Sequence, residues 1–347
     1  MPKFRKKRKQ EHIKYSLELE EKNKRSVFKD ITLIHNCIPE INLKEIDIST
    51  SLGDLKLKSP IIINAITGGY FGAKEINKQL AKIARELEIP MAVGSQKIAL
   101  NGEAEDSFKI VREENPNGII FANIGADVDI SDAVRAVEML KADALQLHLN
   151  IPQEIVMREG RKNFKGILEN IKEITHNIKV PVIVKEVGFG IAREQARALI
   201  DSGVKIIDVG GFGGTNFIAI ENRRRRFNRF KSLEDWGIPT PISLIEVINE
   251  ANGEADIISS GGLSSGLDVA KSLALGAKAG AFAGLFLYIL INKGPLALKN
   301  FIKKIKIELK YSMAMTGAKN LEELRQKPIL IEGRTYFWMK SRGINLR

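Results

Sequence analysis

A single cysteine, Cys37, in 347 residues excludes an internal disulfide framework and suits a reducing compartment, so a cytoplasmic location is expected. Long apolar runs are also missing. The nearest, Ala279–Ile291, is short and interrupted by glycine, and reads as a buried strand leading into a helix rather than a membrane span. The first residues are basic but are not followed by the apolar stretch of a secretory signal. Histidine is scarce, and no second His or Cys lies near His148 at zinc-ligand spacing. Aromatic residues make up 6% of the chain, too few for the stacking platforms of RNA-binding modules.

Basic charge is plentiful. The formal net charge is +12, and much of the excess sits in two runs, Lys3–Lys9 and Arg223–Lys231. Such charge attracts nucleic acid, anionic membrane or a small phosphorylated substrate, and net charge alone does not choose among them. The ordinary reading of either run is a solvated segment. Hydrophobic residues at 44% and charged residues at 28% fit a soluble globular protein long enough for a large core.

From residue 60 onward a rhythm sets in. Short apolar or β-branched runs end in Gly, Ser, Asn or charge, and amphipathic stretches follow. The runs are Pro60–Ala65, Met91–Ser95, Gly118–Ile124, Ala144–Asn150, Pro181–Val187, Lys205–Gly210, Ala255–Ser260 and Ala279–Gly284. Continuous apolar runs of this kind suit parallel strands covered on both faces. Lys74–Glu88, Ser131–Leu140, Ala192–Ser202, Pro241–Ala251 and Ser264–Leu275 have helical periodicity. Eight β/α units predict an α/β chain forming a single (β/α)₈ TIM barrel, with a doubly wound open sheet as the alternative. On this reading residues 1–59 are a basic, mixed N-terminal extension that packs on the barrel. Residues 60–347 are the barrel with its C-terminal helices. The turn signal Leu52-Gly53-Asp54 falls within the extension. The long stretch after the sixth strand, 212–239, reads as a lid over the active site, and Phe227, Phe230 and Trp236 argue against a disordered loop.

In a barrel the ends of the strands face the active site. The late loops Ser259-Ser260-Gly261-Gly262 and Ala283-Gly284 are glycine-rich, so backbone N–H groups can approach phosphate oxygens there. Lys185, near the end of an apolar strand, is costly to bury alone. It either pairs with a carboxylate such as Glu186, snorkels to the rim, or faces the electron-rich edge of a cofactor ring, where it would stabilise an anionic form. Past the fourth strand, Glu154 offers oxygen to a hard cation such as Mg²⁺, and His148 offers a hydrogen bond to phosphate. A lone histidine is more often structural.

Together these segments carry a resemblance. Arg8-Lys9-x-x-His12-Ile13, Thr67-Gly68-Gly69, Gly94-Ser95-Gln96, His148-Leu149-Asn150-x-x-Gln153-Glu154, Lys185-Glu186, Gly213-Gly214-Thr215-Asn216, Asp235-Trp236-Gly237 and Ser260-Gly261-Gly262-Leu263 resemble, in order, the type II isopentenyl diphosphate isomerases. The tail Gly317–Pro328 is similar to the end of related flavin barrels. The His-Leu-Asn-x-x-Gln-Glu string is the specific part; the glycine loops are shared with other FMN barrels. The resemblance implies isomerisation of isopentenyl to dimethylallyl diphosphate, in isoprenoid biosynthesis. It also implies FMN, Mg²⁺ and NAD(P)H as the reductant of the flavin, and a homo-oligomer, tetramer or octamer. Its implied FMN contacts are Ala65, Ile66, Thr67, Ser95, Asn123, Lys185, Thr215, Gly261, Gly262, Ala283 and Gly284. Substrate would be held by Arg8, Lys9, Lys97, His148, Asn150 and Gln153, and Mg²⁺ by Glu154. Gln153, Lys185 and His148 are the expected catalytic residues. Two positions depart from the family pattern. Lys97 stands where an arginine is usual, losing the bidentate fork. Glu159-Gly160-Arg161-Lys162 replaces Glu-Gly-Asp-Arg.

Two other functions compete. An FMN-dependent oxidoreductase of the 2-hydroxy-acid oxidase or dihydroorotate dehydrogenase kind shares the barrel, but the first of these needs a histidine base after the flavin-facing lysine, and Val187–Ile206 has none. A nucleic-acid-binding protein would use the two basic runs, which lack a recognised binding fold. The expected partner is therefore a small diphosphate, with no nucleic acid and no membrane.

Overall fold

The structure is a computed structural model that describes residues 2–20, 26–225, 227 and 229–345, with the side chains of 2–7 left out. Part of each basic run (Lys3–Lys7, Arg226 and Asn228) lies outside the described side chains, as do residues 21–25 of the N-terminal extension.

Eight parallel strands close into a barrel: β1 (Ile61–Ile63), β2 (Met91–Ala92), β3 (Ile120–Gly125), β4 (Ala144–Leu149), β5 (Val182–Glu186), β6 (Ile206–Asp208), β7 (Asp256–Ser260) and β8 (Ala279–Phe282). Seven fall within the runs that the sequence marks for them, and β3 overruns its run by one residue, Gly125. Closure leaves no sheet edge.

Side chains alternate across a strand. Here that alternation sorts the barrel into layers. Ile61, Ile63, Ile120, Ala122, Leu145, Leu147, Val182, Val184 and Ile207 point outward to the helices. Ile62, Ala92, Phe121, Ala144, Ile183, Ile206, Ile258 and Ala279 point inward and fill the lower half of the barrel. Two residues further along each strand the same inward face carries Asn64, Asn123, Gln146, Lys185, Asp208 and Ser260, all buried. One period therefore sets both an apolar floor and a polar layer above it.

The floor is sealed from below. Thr50–Leu52 and Leu55–Leu57 form an antiparallel hairpin around Gly53, and its Leu52 and Leu57 join the inward-facing cluster. The Gly53 N–H donates to Asp256 Oδ2 at 2.7 Å, tying the hairpin tip to the start of β7. Burial of each leucine is worth about 2 kcal/mol. Ile31–Leu33 pairs antiparallel with Ile329–Ile331, joining the N-terminal extension to the C-terminal region.

The helices surround the sheet. Ala73–Leu87 buries Leu80, Ile83, Ala84 and Leu87, one stripe at helical spacing. Gly266–Leu275 starts at Ser265, whose side chain accepts from Asp268 N. The helices Asp106–Glu114 and Ile167–Asn177 complete the ring but are absent from the periodic stretches singled out above. Among the described residues no helix is long and apolar enough to cross a membrane.

The stretch after β6 is a folded roof. Phe212 bridges to Pro239 in parallel, and between them Phe217–Arg224 is helical. Asn216 caps that helix at Ala219 N and donates from Nδ2 to Glu234 O at 2.6 Å, while Asn222 donates to Glu234 Oε1 at 2.7 Å. Asparagines hold this segment, not the aromatics that suggested order. Trp236 and Phe227 are 63% and 82% exposed. The N-terminal helix Pro2–Glu20 lies across the roof helix and across Gly284–Lys293.

Candidate active site

Over the polar layer opens a cavity of about 820 Å³, inside the ~300–1,000 Å³ range of small-molecule sites. All eighteen residues that the sequence marks for substrate, cofactor, metal or catalysis line it, from Arg8 to Gly284. They come from the N-terminal helix and from loops following most of the eight strands, so only the closed barrel brings them together.

At one end the backbone forms a cradle. Gly261 and Gly262 have φ of +104° and +82°, where a side chain is strained, and a Cβ on Gly284 would lie 2.8 Å from Thr215 Oγ1. Helix Gly284–Lys293 begins at Ala283 without a side-chain cap, so its first N–H groups remain available to an anion. This is the phosphate-binding arrangement of barrels, built by the seventh and eighth loops. The carboxyl of Glu20 reaches the same corner, with Oε2 2.8 Å from the position of a Cβ on Gly284. Burial pushes it up to about 7.

Lys185 resolves the choice left by the sequence. Its Nζ donates to the carbonyl of Glu186 at 2.8 Å and to no carboxylate among the described residues. The Glu186 carboxylate turns away and accepts from the N–H groups of Val187, Gly188, Phe189 and Gly190 at 2.5–3.2 Å. Burial pushes that carboxyl up to about 7, against the pull of these donors and of Lys185. A buried ammonium with hydrogen-bonding capacity to spare faces the cavity. The cradle at one end and this cation with the buried amides at the other fit the phosphate and the polar ring edge of a flavin mononucleotide.

The mouth is charged. Lys9 Nζ donates to Gly68 O at 2.6 Å and Ser95 O at 3.0 Å, pinning the N-terminal helix over the first two loops. Arg8 contacts Met157 Sδ at 3.3 Å and lies 3.9 Å from Glu159. Burial lowers Arg8 from its ordinary value, while Glu159 and Glu154 pull it back. Lys97 is held by Asp127 at 2.8 Å, with Arg161 3.7 Å from the same oxygen. Burial would raise Asp127, but these two cations hold it below the usual carboxylate range. Lys97 thus lines the cavity as a partly neutralised charge.

Glu154 is oriented through both oxygens: Asn150 Nδ2 donates to Oε1 at 3.2 Å and Arg161 N to Oε2 at 2.7 Å. The departure at Arg161 leaves this loop contact intact, because the backbone makes it. No group of three His, Cys, Asp or Glu converges on a metal position among the described residues. A Mg²⁺ at Glu154 fits only as an ion that shares its oxygens with substrate phosphate and water.

Three residues not selected from the sequence complete the roof. Glu221, 2% exposed, accepts from Gln153 Nε2 at 3.5 Å, meets His12 Nε2 at 2.7 Å and pairs with Arg224. Burial works to raise Glu221, yet His12 and Arg224 hold it below the usual range. Burial lowers His12 more than Glu221 raises it. Arg224 also holds Glu11 at 3.0 Å and Glu159 at 2.8 Å, and these acids raise it despite burial. The signal for Glu221 is a lone acid after the apolar run Phe217–Ile220. Arg223 pairs with Glu18 at 3.2 Å, and Arg225 lies over the Phe230 ring. The described arginines of the second basic run are thus engaged within the molecule.

These features define a flavin-type TIM-barrel enzyme. A family profile described as FMN-dependent dehydrogenase matches residues 153–331. A mandelate oxidase mutant superposes with a TM-score of 0.63 at 17% identity, covering 91% of this chain and 92% of that one. A putative lactate oxidase from Pediococcus acidilactici gives 0.67 at 18%, covering 92% and 87%. These likenesses show the fold alone. Among the described residues, the histidines lining the cavity are His12 and His148. His176, bonded to Lys172 O at 2.7 Å, is on an exposed helix, so no histidine follows Lys185 as a hydroxy-acid oxidase requires. The isopentenyl-diphosphate delta-isomerase of Bacillus licheniformis is 47% identical over 98% of this chain and 97% of its own length. That of Geobacillus sp. (strain WCH70) is 47% identical over 99% and 98%, and that of Listeria monocytogenes 43% over 99% and 96%. The chain belongs to the isopentenyl-diphosphate delta-isomerase family.

Proposed function

We propose that this enzyme interconverts isopentenyl and dimethylallyl diphosphate by moving a double bond one position. The observation that carries the reading is one cavity with a cationic mouth, Glu154 held through both oxygens, and a floor that fits a flavin, in a chain matched along its length by isomerases of that name. When bound and reduced by NAD(P)H, FMN supplies proton transfer and an electron-rich surface to a reaction that passes through tertiary cationic character.

The chain's own residues bind, orient and shield. Arg8, Lys9, His148 and Asn150 hold the diphosphate, and Glu154 shares Mg²⁺ with it. Gln153, fixed between Asn150 and Glu221, faces the alkene and keeps it aligned for proton delivery to the terminal carbon and loss from C2. Lys185 stabilises negative charge on the flavin. The N-terminal helix and the roof exclude water. A homo-oligomer fits the apolar stripe Ile307, Tyr311 and Met315, each about half exposed at four-residue spacing. Light scattering on the eluting protein measures its size.

The deciding experiment is anaerobic incubation of purified protein with isopentenyl diphosphate, FMN, Mg²⁺ and NADPH, omitting each in turn. Product that requires reduced flavin and Mg²⁺ supports the proposal. Tightly bound, reducible FMN without product retains the flavin barrel and sinks the isomerase.

A further inference from the structure

The buried polar layer is a directed chain. Asp208, fully buried, accepts from Asn64 Nδ2 at 2.7 Å. Asn64 Oδ1 accepts from the Ala65 N–H at 2.8 Å and from Gln146 Nε2 at 3.1 Å. Gln146 Oε1 accepts from Asn123 Nδ2 at 2.8 Å, and Asn123 Oδ1 lies 2.8 Å from His148 Nδ1. Asp208 also accepts from Gly210 N at 3.2 Å and from Ser260. The chain crosses the barrel from β6 to β1 and β4, then passes through β3 back to β4.

A primary amide has one donor end and one acceptor end, so reversing one member reverses every other. Here the direction is pinned where it starts. A backbone N–H only donates, so the atom facing Ala65 N is the Asn64 oxygen, and the amide's nitrogen then faces Asp208. Gln146 and Asn123 must follow, because each is at most 2% exposed and each amide end meets the next amide of the chain. Asn123 is left presenting oxygen to His148, and a hydrogen bond there requires the proton on Nδ1.

We infer that Asp208, Asn64, Gln146 and Asn123 form a polarity relay that holds His148 as the Nδ1–H tautomer and leaves Nε2 bare toward the cavity. They are positioning residues, acting on the ligand site only through the imidazole. The tautomer is the opposite of the one free imidazole side chains prefer in water, so it reports the relay directly. The sequence gives His148 the role of donor to phosphate; a bare Nε2 cannot play it. Around this ring the charged groups are Lys185, Asp127, Lys97 and Lys9. Burial first, then Lys185, pushes His148 down to about 4, so the empty site holds it neutral at pH 7. Resting on the diphosphate reading above, the consequence is that anion binding at His148 carries a proton onto Nε2.

The test is ¹⁵N solid-state NMR of histidine-labelled, FMN-loaded protein at pH 7. The chain has four histidines, and His148→Gln identifies the relevant signal. The expected spectrum shows a protonated Nδ1 and an unprotonated Nε2. The reverse assignment, or two protonated nitrogens, overturns the inference without need of a relay variant. In Gln146→Leu the His148 signal splits into both tautomers; an unchanged signal removes the relay as its cause. Titration with inorganic pyrophosphate and Mg²⁺, by calorimetry in two buffers of different ionisation heat, reads about one proton more taken up per site by the parent protein than by His148→Gln. Equal proton uptake by the two proteins overturns the proton linkage. No binding at all sinks the diphosphate reading and leaves the tautomer result standing.

Discussion

The floor and the roof of the cavity use opposite chemistry. The polar layer that floors the cavity is built mostly from neutral amides whose hydrogen bonds close on one another inside the barrel, with the carboxyl of Asp208 and the ammonium of Lys185 among them. The roof is built mostly from ions: Arg8, Glu11, Glu159, Glu221 and Arg224, with His12 bonded to Glu221, drawn from three segments far apart in sequence. Neutral amides in low dielectric fix geometry without opposing a bound charge. Ion pairs near solvent are weakened by salt and pH and can rearrange as a charged ligand enters. The difference teaches that this enzyme keeps its cofactor bed rigid and its substrate cover adjustable.

The sharpest break of that contrast is in the floor. Lys185→Met should lower kcat by ~10²–10³-fold, as loss of one preorganised electrostatic group does, with fold and melting temperature little changed. Steady-state kinetics beside thermal unfolding checks both parts, and an equal loss in KM alone would move Lys185 to substrate binding. In the roof, Glu221→Ala leaves His12 and Arg224 without their shared carboxylate, and breaking a buried pair from one side costs ~3–5 kcal/mol. Chemical denaturation measures it; a cost under about 1 kcal/mol would make the roof an ordinary surface network.

Glu20 sharpens the boundary between the two. Its carboxyl occupies the corner where a cofactor phosphate would sit, so Glu20→Gln should tighten FMN binding about fivefold, on the scale of one unit-charge repulsion of ~1 kcal/mol. Quenching of flavin fluorescence reads this directly. The sign with pH follows from the raised value near 7. The folded carboxyl binds a proton more tightly than the unfolded one, so its contribution to apo stability is present below pH 4.5 and lost as pH rises through about 7. His148 acts oppositely: held near 4, it is disfavoured in the folded state as pH falls from 6.5 to 4. The smallest effect belongs to a pair outside both regions. Arg197→Ala removes exposed contacts to Glu254 and Asp201 and should leave the thermal unfolding midpoint nearly unmoved in a melting scan.

The floor was legible in the sequence because it follows a local rule. Asn123, His148 and Lys185 stand at the ends of apolar runs, where a period of two decides which side chain faces inward. Asn64, Gln146 and Asp208 obey the same rule, but a polar residue within or closing an apolar run carries no motif that marks it as more than a strand terminator. The roof obeys no local rule. Nothing near Glu221 announces that His12, over two hundred residues earlier, will meet it at 2.7 Å. Segment 212–239 read as ordered through its aromatics, whereas Asn216 and Asn222 hold it, since a capping side chain is one residue rather than a pattern. The motif resemblance carried what periodicity could not: it named Arg8 and Lys9 as cavity residues from a charge run that otherwise looked solvated.

The hairpin Thr50–Leu57 has a consequence for traffic. Leu52 and Leu57 extend the apolar packing that already fills the lower half of the barrel, so that end is a plug several side chains thick. Among the described residues the way into the polar layer is thus from above, through the cavity. A ligand resting on that layer would be slowed in its exchange by any second ligand bound nearer the mouth.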